Sequence, residues 1–190
     1  MVSPQLIAAA FLYALAAFMV YLFLSGLIWG AGYSPTSRRQ LEAAASLLQL
    51  KEGDTVYDLG SGFGRALIFF AKECRASAIG FEIDPLRRLI TLWNTKRQGV
   101  SAKVNVLRQN LLDADLSEAD KVFFFLSPLI MRRLEEKVAR EVPPGALVVS
   151  VEHRFPNWRP AESFENVHLY VVGSNATIPA PLSTKRDQKS

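Results

Sequence analysis

The sequence predicts a doubly wound, mainly parallel α/β sheet preceded by one transmembrane helix, and three observations carry that reading. Short apolar runs alternate with helix-length segments from about residue 55 onward. A glycine-rich turn, Asp58-Leu59-Gly60-Ser61-Gly62-Phe63-Gly64, follows the first of those runs. Ahead of them, Leu6 to Trp29 are 24 residues without a charged side chain. With 190 residues, 49% hydrophobic and 21% charged, the chain can bury the core of one ordinary domain but not of two catalytic ones.

At about 1.5 Å rise per residue the apolar run makes a helix roughly 36 Å long, enough to cross a hydrocarbon layer of roughly 30 Å with some tilt. Trp29 ends the run as an interface anchor, and Tyr13 and Tyr21 lie inside it. The first charged side chains, Arg38 and Arg39, follow the run and none precedes it. The positive-inside tendency then puts the amino terminus outside and the remaining residues in the cytoplasm. A cleaved signal peptide would need a basic leading region and a shorter apolar stretch. The expected division is an anchor over 1–32, a folded domain over 33–182 and a polar, disordered tail over 183–190. The absence of an Arg-rich leader favours a prokaryotic plasma membrane over a mitochondrial inner membrane.

Within the domain, Tyr33-Ser34-Pro35-Thr36 breaks the first helix, and Thr36 or Ser37 caps a second with Leu41, Ala45 and Leu48 on one face. Lys51 to Asp54 turns into a strand over Thr55 to Leu59. After the glycine turn come a helix from Arg65 to Cys74 and a strand from Ala76 to Phe81. Asp84 caps, and Pro85 opens, a helix reaching about Arg97. Lys103 to Leu107 is the third strand, and the apolar run Val122 to Leu126, suited to a sheet covered on both faces, is the fourth. Ser127 and Pro128 begin a helix with Met131, Leu134 and Val138 on one side. Pro143-Pro144-Gly145 turns into the strand Ala146 to Val151, and Val167 to Val172 supplies at least one more. The ligand site of such a sheet lies beyond the carboxyl ends of its strands.

Composition narrows the chemistry. One cysteine, Cys74, excludes a disulfide framework, and two histidines leave little for a metal centre, so no metal is expected. The formal net charge is +4, and Lys185, Arg186 and Lys189 against Asp187 place half of it in the last residues, so the charge gives little support to nucleic acid. A dinucleotide turn wants G-x-G-x-x-G/A, and counted from Gly60 and Gly62 its last position is Arg65, a large cation where helix and strand must pack. The pattern present is D-x-G-x-G-x-G. Glu82 ends the second strand 24 residues after Asp58, and a carboxylate there can accept both hydroxyls of a ribose. Asn110 and Asp113 follow the third strand, where an adenine edge would be read.

Together these residues resemble the class I S-adenosylmethionine-dependent methyltransferases, whose fold is Rossmann-like. The resemblance implies S-adenosyl-L-methionine as cofactor, with Asp58 near its methionine portion and Gly60, Ser61, Gly62 and Gly64 forming the floor. It matches Glu82 to the ribose-binding acid. More closely, Tyr33-Ser34-Pro35-Thr36, Tyr57-Asp58-Leu59-Gly60-Ser61-Gly62 and Gly80-Phe81-Glu82-Ile83-Asp84-Pro85 look like the membrane-associated protein-lysine methyltransferases of adenine nucleotide translocase and ATP synthase c subunit, and their archaeal relatives. Phe125-Leu126-Ser127-Pro128 and the segment holding Phe155, Trp158 and Pro160 extend the likeness. That family commonly has Asp where Phe63 stands, and often a small apolar residue in place of Ser34.

The resemblance implies a lysine acceptor on a membrane or membrane-proximal protein, with the bilayer contacted through residues 6–29. Methyl transfer to an amine is an in-line displacement that needs alignment and a dry channel rather than a protein nucleophile. Tyr33, Phe155 and Trp158 are the residues expected to line that channel and attract the cation through their π-faces. Amino-methylation of bases usually uses N/D-P-P-Y/F/W after the fourth strand, where this chain has Leu126-Ser127-Pro128-Leu129, so no nucleic-acid partner is expected. A small lipophilic acceptor, and a non-catalytic membrane scaffold suggested by Phe63, stay open as alternatives.

Overall fold

Residues 3–29 and 35–173 are described by a computed structural model, with backbone only over 22–29. Tyr33 and the expected tail over 183–190 lie outside these residues. The apolar run forms α1, Pro4–Trp29, which starts two residues before Leu6. Leu6, Phe11, Leu12, Tyr13, Met19 and Val20 are all more than half exposed, so over Pro4–Val20 α1 is apolar around its circumference and uncovered. Its window Pro4–Tyr21 is long and apolar enough to cross a membrane.

The domain begins with α2, Arg38–Leu47, whose capping residue is Ser37 rather than Thr36. The Gln40 amide donates to Ser37 Oγ at 3.2 Å, and the Ser37 amide donates to Gln40 Oε1 at 2.9 Å. The remaining elements are β1 Thr55–Leu59, α3 Arg65–Glu73, β2 Ser77–Phe81, α4 Pro85–Arg97, β3 Val104–Leu107, β4 Lys121–Phe124, α5 Met131–Glu141, β5 Leu147–Val151, β6 Glu162–Phe164 and β7 Val167–Val171. They form one seven-stranded sheet in the order β3-β2-β1-β4-β5-β7-β6. The five strands from β3 to β5 are parallel, while β7 runs antiparallel to both β5 and β6. The strand order reverses direction between β1 and β4, which opens a crevice at their carboxyl ends.

Both faces are covered, as the unbroken apolar strands require. Phe123 and Val149 pack with Leu41, Leu48, Leu67 and Phe70 of α2 and α3, whereas Val122, Phe124 and Val148 pack with Leu134 and Val138 of α5. Helix α4 is inverted. Its buried residues are Arg87, Thr91 and Thr95, four apart, while Leu89 and Trp93 point outward at 63% and 59% exposure.

The structure corrects three readings after Phe124. Strand β4 stops two residues earlier than the apolar run, because Leu126 leaves the ladder to pack against Gly60. Ser127 and Pro128 make a turn, with the Ile130 amide donating to Ser127 O at 3.3 Å, so α5 starts only at Met131. The edge strand β6 was not anticipated: it has three residues, all exposed, and Glu162 and Ser163 give it no apolar alternation.

Candidate functional site

Because β1 and β2 pair in parallel with Leu59 opposite Phe81, both strands end side by side. The amides of Gly60 and Ser61 donate to Phe81 O at 2.9 and 3.1 Å, pulling the glycine turn over the end of β2. Gly60 and Gly64 have φ of +85° and +77°, and neither position has room for a side chain. A Cβ on Gly60 would come within 2.8 Å of Leu126 Cδ2, and one on Gly64 within 2.3 Å of Thr91 Cγ2. Gly62 is the opposite case, since nothing lies within 4 Å of where its Cβ would be. At that point the backbone is open to a ligand.

Glu82 faces this turn. Its Oε2 accepts from the Gly62 amide at 2.8 Å and its Oε1 from the Asp84 amide at 2.9 Å, with the residue 6% exposed. An ionised carboxylate has about four acceptor positions, so each oxygen keeps one for a further donor. Burial pushes the Glu82 carboxyl above its ordinary pKa, against the lowering effect of the two amide bonds. Asp58 is fully buried. Burial first, and the Glu82 charge second, push its pKa up to about 8. Ser61 Oγ is buried and has no hydrogen-bond partner among the described residues.

Helix α4 locks the turn from outside. Asp84 Oδ1 caps it by accepting from the Leu86 and Arg87 amides at 2.9 and 3.2 Å, and Asp84 Oδ2 lies 3.5 Å from Arg87 Nε. The Thr91 hydroxyl donates to Gly62 O at 2.9 Å, and Asn94 Nδ2 donates to Phe63 O at 3.4 Å. The Phe63 ring lies under the Arg87 guanidinium, 5.9 Å from centroid to Cζ, so it is drawn toward α4. Tyr21 of α1 donates its hydroxyl proton to Asp84 Oδ1, so the apolar helix meets the domain beside this turn.

Asp58, Gly60, Ser61, Gly62, Gly64 and Glu82 thus come together at one crevice. Asn110 and Asp113 reach the same edge through β3, whose Leu107 carbonyl accepts from the Glu82 amide at 3.0 Å. Asn110 Oδ1 accepts from its own Leu112 amide at 3.0 Å, and Asp113 is exposed. Phe155 and Trp158 are packed rather than displayed. They are 3% and 5% exposed, with Phe155 centroids 4.9 Å from Tyr170, 5.3 Å from Trp158 and 5.4 Å from Phe124. The Phe155 amide donates to the Tyr170 hydroxyl at 3.1 Å, and the Asn157 amide to Glu135 Oε2 at 2.9 Å, fixing this loop to β7 and α5. Sequence reasoning missed Thr91 and Arg87, whose four-residue spacing reads as a solvated helix face but is the inward one. Among the described residues no cluster of metal-ligating side chains occurs.

The fit to an S-adenosyl nucleoside can be judged from these atoms. An acceptor carboxylate with spare lone pairs suits a ribose diol, an orphaned hydroxyl at Ser61 awaits a polar partner, and the open backbone at Gly62 admits close approach. The residues fit that group.

A family profile, the ANTKMT methyltransferase domain, matches residues 58–162. The chain is 32% identical over 152 residues to a protein-lysine N-methyltransferase of Saccharolobus islandicus, covering 75% of this chain and 94% of that protein. It is 36% identical over 152 residues to the adenine nucleotide translocase lysine N-methyltransferase of Mus musculus, covering 77% of this chain and 66% of the mouse protein. The crystal structure of an RNA methyltransferase from Salinibacter ruber in complex with S-adenosyl-L-homocysteine superposes with a TM-score of 0.68 at 30% identity, covering 82% of this chain and 100% of that one.

Two outcomes follow from the turn and its buried acid. Gly64→Ala is expected to destabilise the protein by about 2–5 kcal/mol, since positive-φ strain adds to overpacking against Thr91. Adding Thr91→Ser, which removes the offending methyl and keeps the hydroxyl, should recover much of the loss in urea unfolding; no recovery would assign the cost elsewhere. The folded state also holds an Asp58 proton that the unfolded chain, with an ordinary carboxylate near about 3.9, has lost. Stability therefore falls as pH rises toward 8, and the melting temperature should drop between about pH 6 and 8. Asp58→Asn should flatten that drop; an equal slope in the variant would show that another group titrates.

Proposed function

The chain belongs to the ANTKMT methyltransferase domain family and is an S-adenosylmethionine-dependent methyltransferase, and on that footing we propose that it is a membrane-anchored protein-lysine N-methyltransferase. The observation that supports the acceptor most directly is the 32% identity spanning nearly the whole of the archaeal lysine enzyme. The helix α1, apolar on every side, supports the anchor, with residues 33–182 as a cytoplasmic domain and 183–190 as a polar tail.

When bound, the cofactor supplies an electrophilic methyl group on a sulfonium. Everything else is the work of this chain's side chains and backbone. Glu82 accepts the ribose hydroxyls with the lone pairs left over from Gly62 and Asp84, and Ser61 Oγ gains a partner. Gly60 and Gly62 let the main chain come close enough to hold the donor still. Asn110 and Asp113 border the base end. Asp58, neutral in the empty site, ionises when positive charge arrives beside it, which couples binding to proton release near neutral pH.

The acceptor amine must be neutral to attack, and an apolar channel lowers a lysine pKa for the same reason that burial raises that of Asp58. In this reading Tyr33 lines the channel that receives the lysine. Phe155 and Trp158, interlocked with Phe124 and Tyr170, stiffen the wall behind it. With the cofactor bound, this chain's part would be to hold the lysine nitrogen in line with the methyl group and to keep water from the channel.

One observation favours a second reading, methylation of RNA: the Salinibacter protein, covered over its full length, is an RNA methyltransferase. Incubation of the purified protein with methyl-labelled cofactor and a membrane extract that retains its RNA separates the possibilities. Label recovered as methyllysine after acid hydrolysis is the expected result. Label confined to nucleosides would replace the lysine reading by the RNA one, and label confined to the organic phase would replace it by a lipophilic acceptor. Glu82→Gln is expected to weaken cofactor binding by about 1–3 kcal/mol, the scale of a charged hydrogen-bond acceptor, in isothermal titration. Unchanged affinity would remove Glu82 from the ribose site.

A further inference from the structure

The outward face of α4 is a surface that neither the core nor the cofactor crevice uses. Its buried stripe is polar, Arg87, Thr91 and Thr95, and its exposed stripe is apolar, with Leu89 and Trp93 one turn apart. Leu86 and Ile90, half-buried, complete a helical spacing of i, i+3, i+4 and i+7 with them. Helix α4 carries Arg87, Arg88, Lys96 and Arg97 and no acid, with Arg87 buried beside the cap Asp84. The Arg97 guanidinium stands 5.3 Å from the centroid of the Trp93 ring, so a cation and an indole are held together at the exposed end of the stripe.

Such a pattern, a leucine and tryptophan stripe edged by cations, is that of a helix lying in a membrane interface. The occupant is specified by what adjoins it. Tyr21 of α1 donates to Asp84 Oδ1, the residue that caps α4. The first turn of α4 therefore lies against α1, so its outward face adjoins the helix that crosses the bilayer. Lys96 and Arg97, both exposed at the far end of the stripe, match anionic headgroups.

We propose that α4 is a second membrane contact, laying Leu89 and Trp93 into the interface of an anionic bilayer with Lys96 and Arg97 among its headgroups. The proposal rests on α1 being a membrane anchor. Because α4 also holds the glycine turn through Thr91 and the cap of Asp84, this contact sets the height of the cofactor crevice above the bilayer. The acceptor lysine is then one that lies close to the headgroup layer.

The test uses the full chain, with Cys74→Ser and Leu89→Cys, carrying an environment-sensitive fluorophore at position 89 and reconstituted into vesicles of phosphatidylcholine with or without phosphatidylglycerol. The expected result is a blue-shifted emission in the anionic vesicles, quenched by headgroup-depth spin-labelled lipid more than by aqueous iodide, with most of the shift lost in Lys96→Glu/Arg97→Glu. A probe that stays iodide-accessible in both vesicles, while α1 resists alkaline extraction, overturns the α4 contact and leaves the anchor intact. Release of the chain by alkaline extraction overturns both. A shift that grows with protein-to-lipid ratio would give the face to a second copy, and one that appears only on adding RNA would give it to nucleic acid; either overturns the proposal.

Discussion

The carboxylate of Glu82 is the tie on which the site depends. Its two oxygens take the amides of Gly62, in the turn after β1, and of Asp84, at the head of α4. Two pieces of backbone are thereby tied to the end of β2 by one side chain, and the same side chain keeps lone pairs for a further donor. Burying an anion is unfavourable unless it is hydrogen-bonded, and here the compensation comes from main-chain donors that would otherwise be orphaned at a strand end and a helix start. Asp58, one strand away and lacking such donors, shows the alternative by holding its proton. Burial raises both carboxyl pKa values, and only at Glu82 do amide neighbours oppose the rise.

Thr91 extends this tie into the packing. Its hydroxyl reaches Gly62 O while its methyl occupies the space that a side chain at Gly64 would need. The turn is therefore shaped from above by hydrogen bonds and from the side by a single methyl group. Helix α4 must turn its polar side inward to do this, and its apolar residues are left outside as a direct consequence. An arrangement that looks like reversed amphipathicity follows from what the glycine turn requires of its neighbour.

Most of the architecture was legible in the chain. The strands from β1 to β5 and β7 were readable because they are apolar runs between turn residues, and Asp84-Pro85 marked the start of α4 correctly. The crevice residues were legible by type and spacing, since glycine at positive φ and an acid at a strand end have few substitutes. What escaped was decided by tertiary contacts. The apolar character of Phe125 and Leu126 reflects packing against the glycine turn and the core, and local periodicity cannot distinguish that from a longer strand. Thr91 lies between Ile90 and Leu92 and Arg87 beside Arg88, so neither residue type marks the inward face of its helix. Phe155 and Trp158 were read as a cation-binding surface, whereas their contacts are with Phe124 and Tyr170 in the core.

The turn from Ser127 to Ile130 has a wider meaning. It stands at the carboxyl end of β4, yet its internal bonds are local ones, from Ile130 to Ser127 O, from Met131 to Pro128 O and from Leu129 to Ser127 Oγ. Leu126 before it and Met131 after it are fixed in the core, and Leu129 between them is 89% exposed. A segment clamped at both ends and free between them can be exchanged without disturbing either the sheet or the donor crevice.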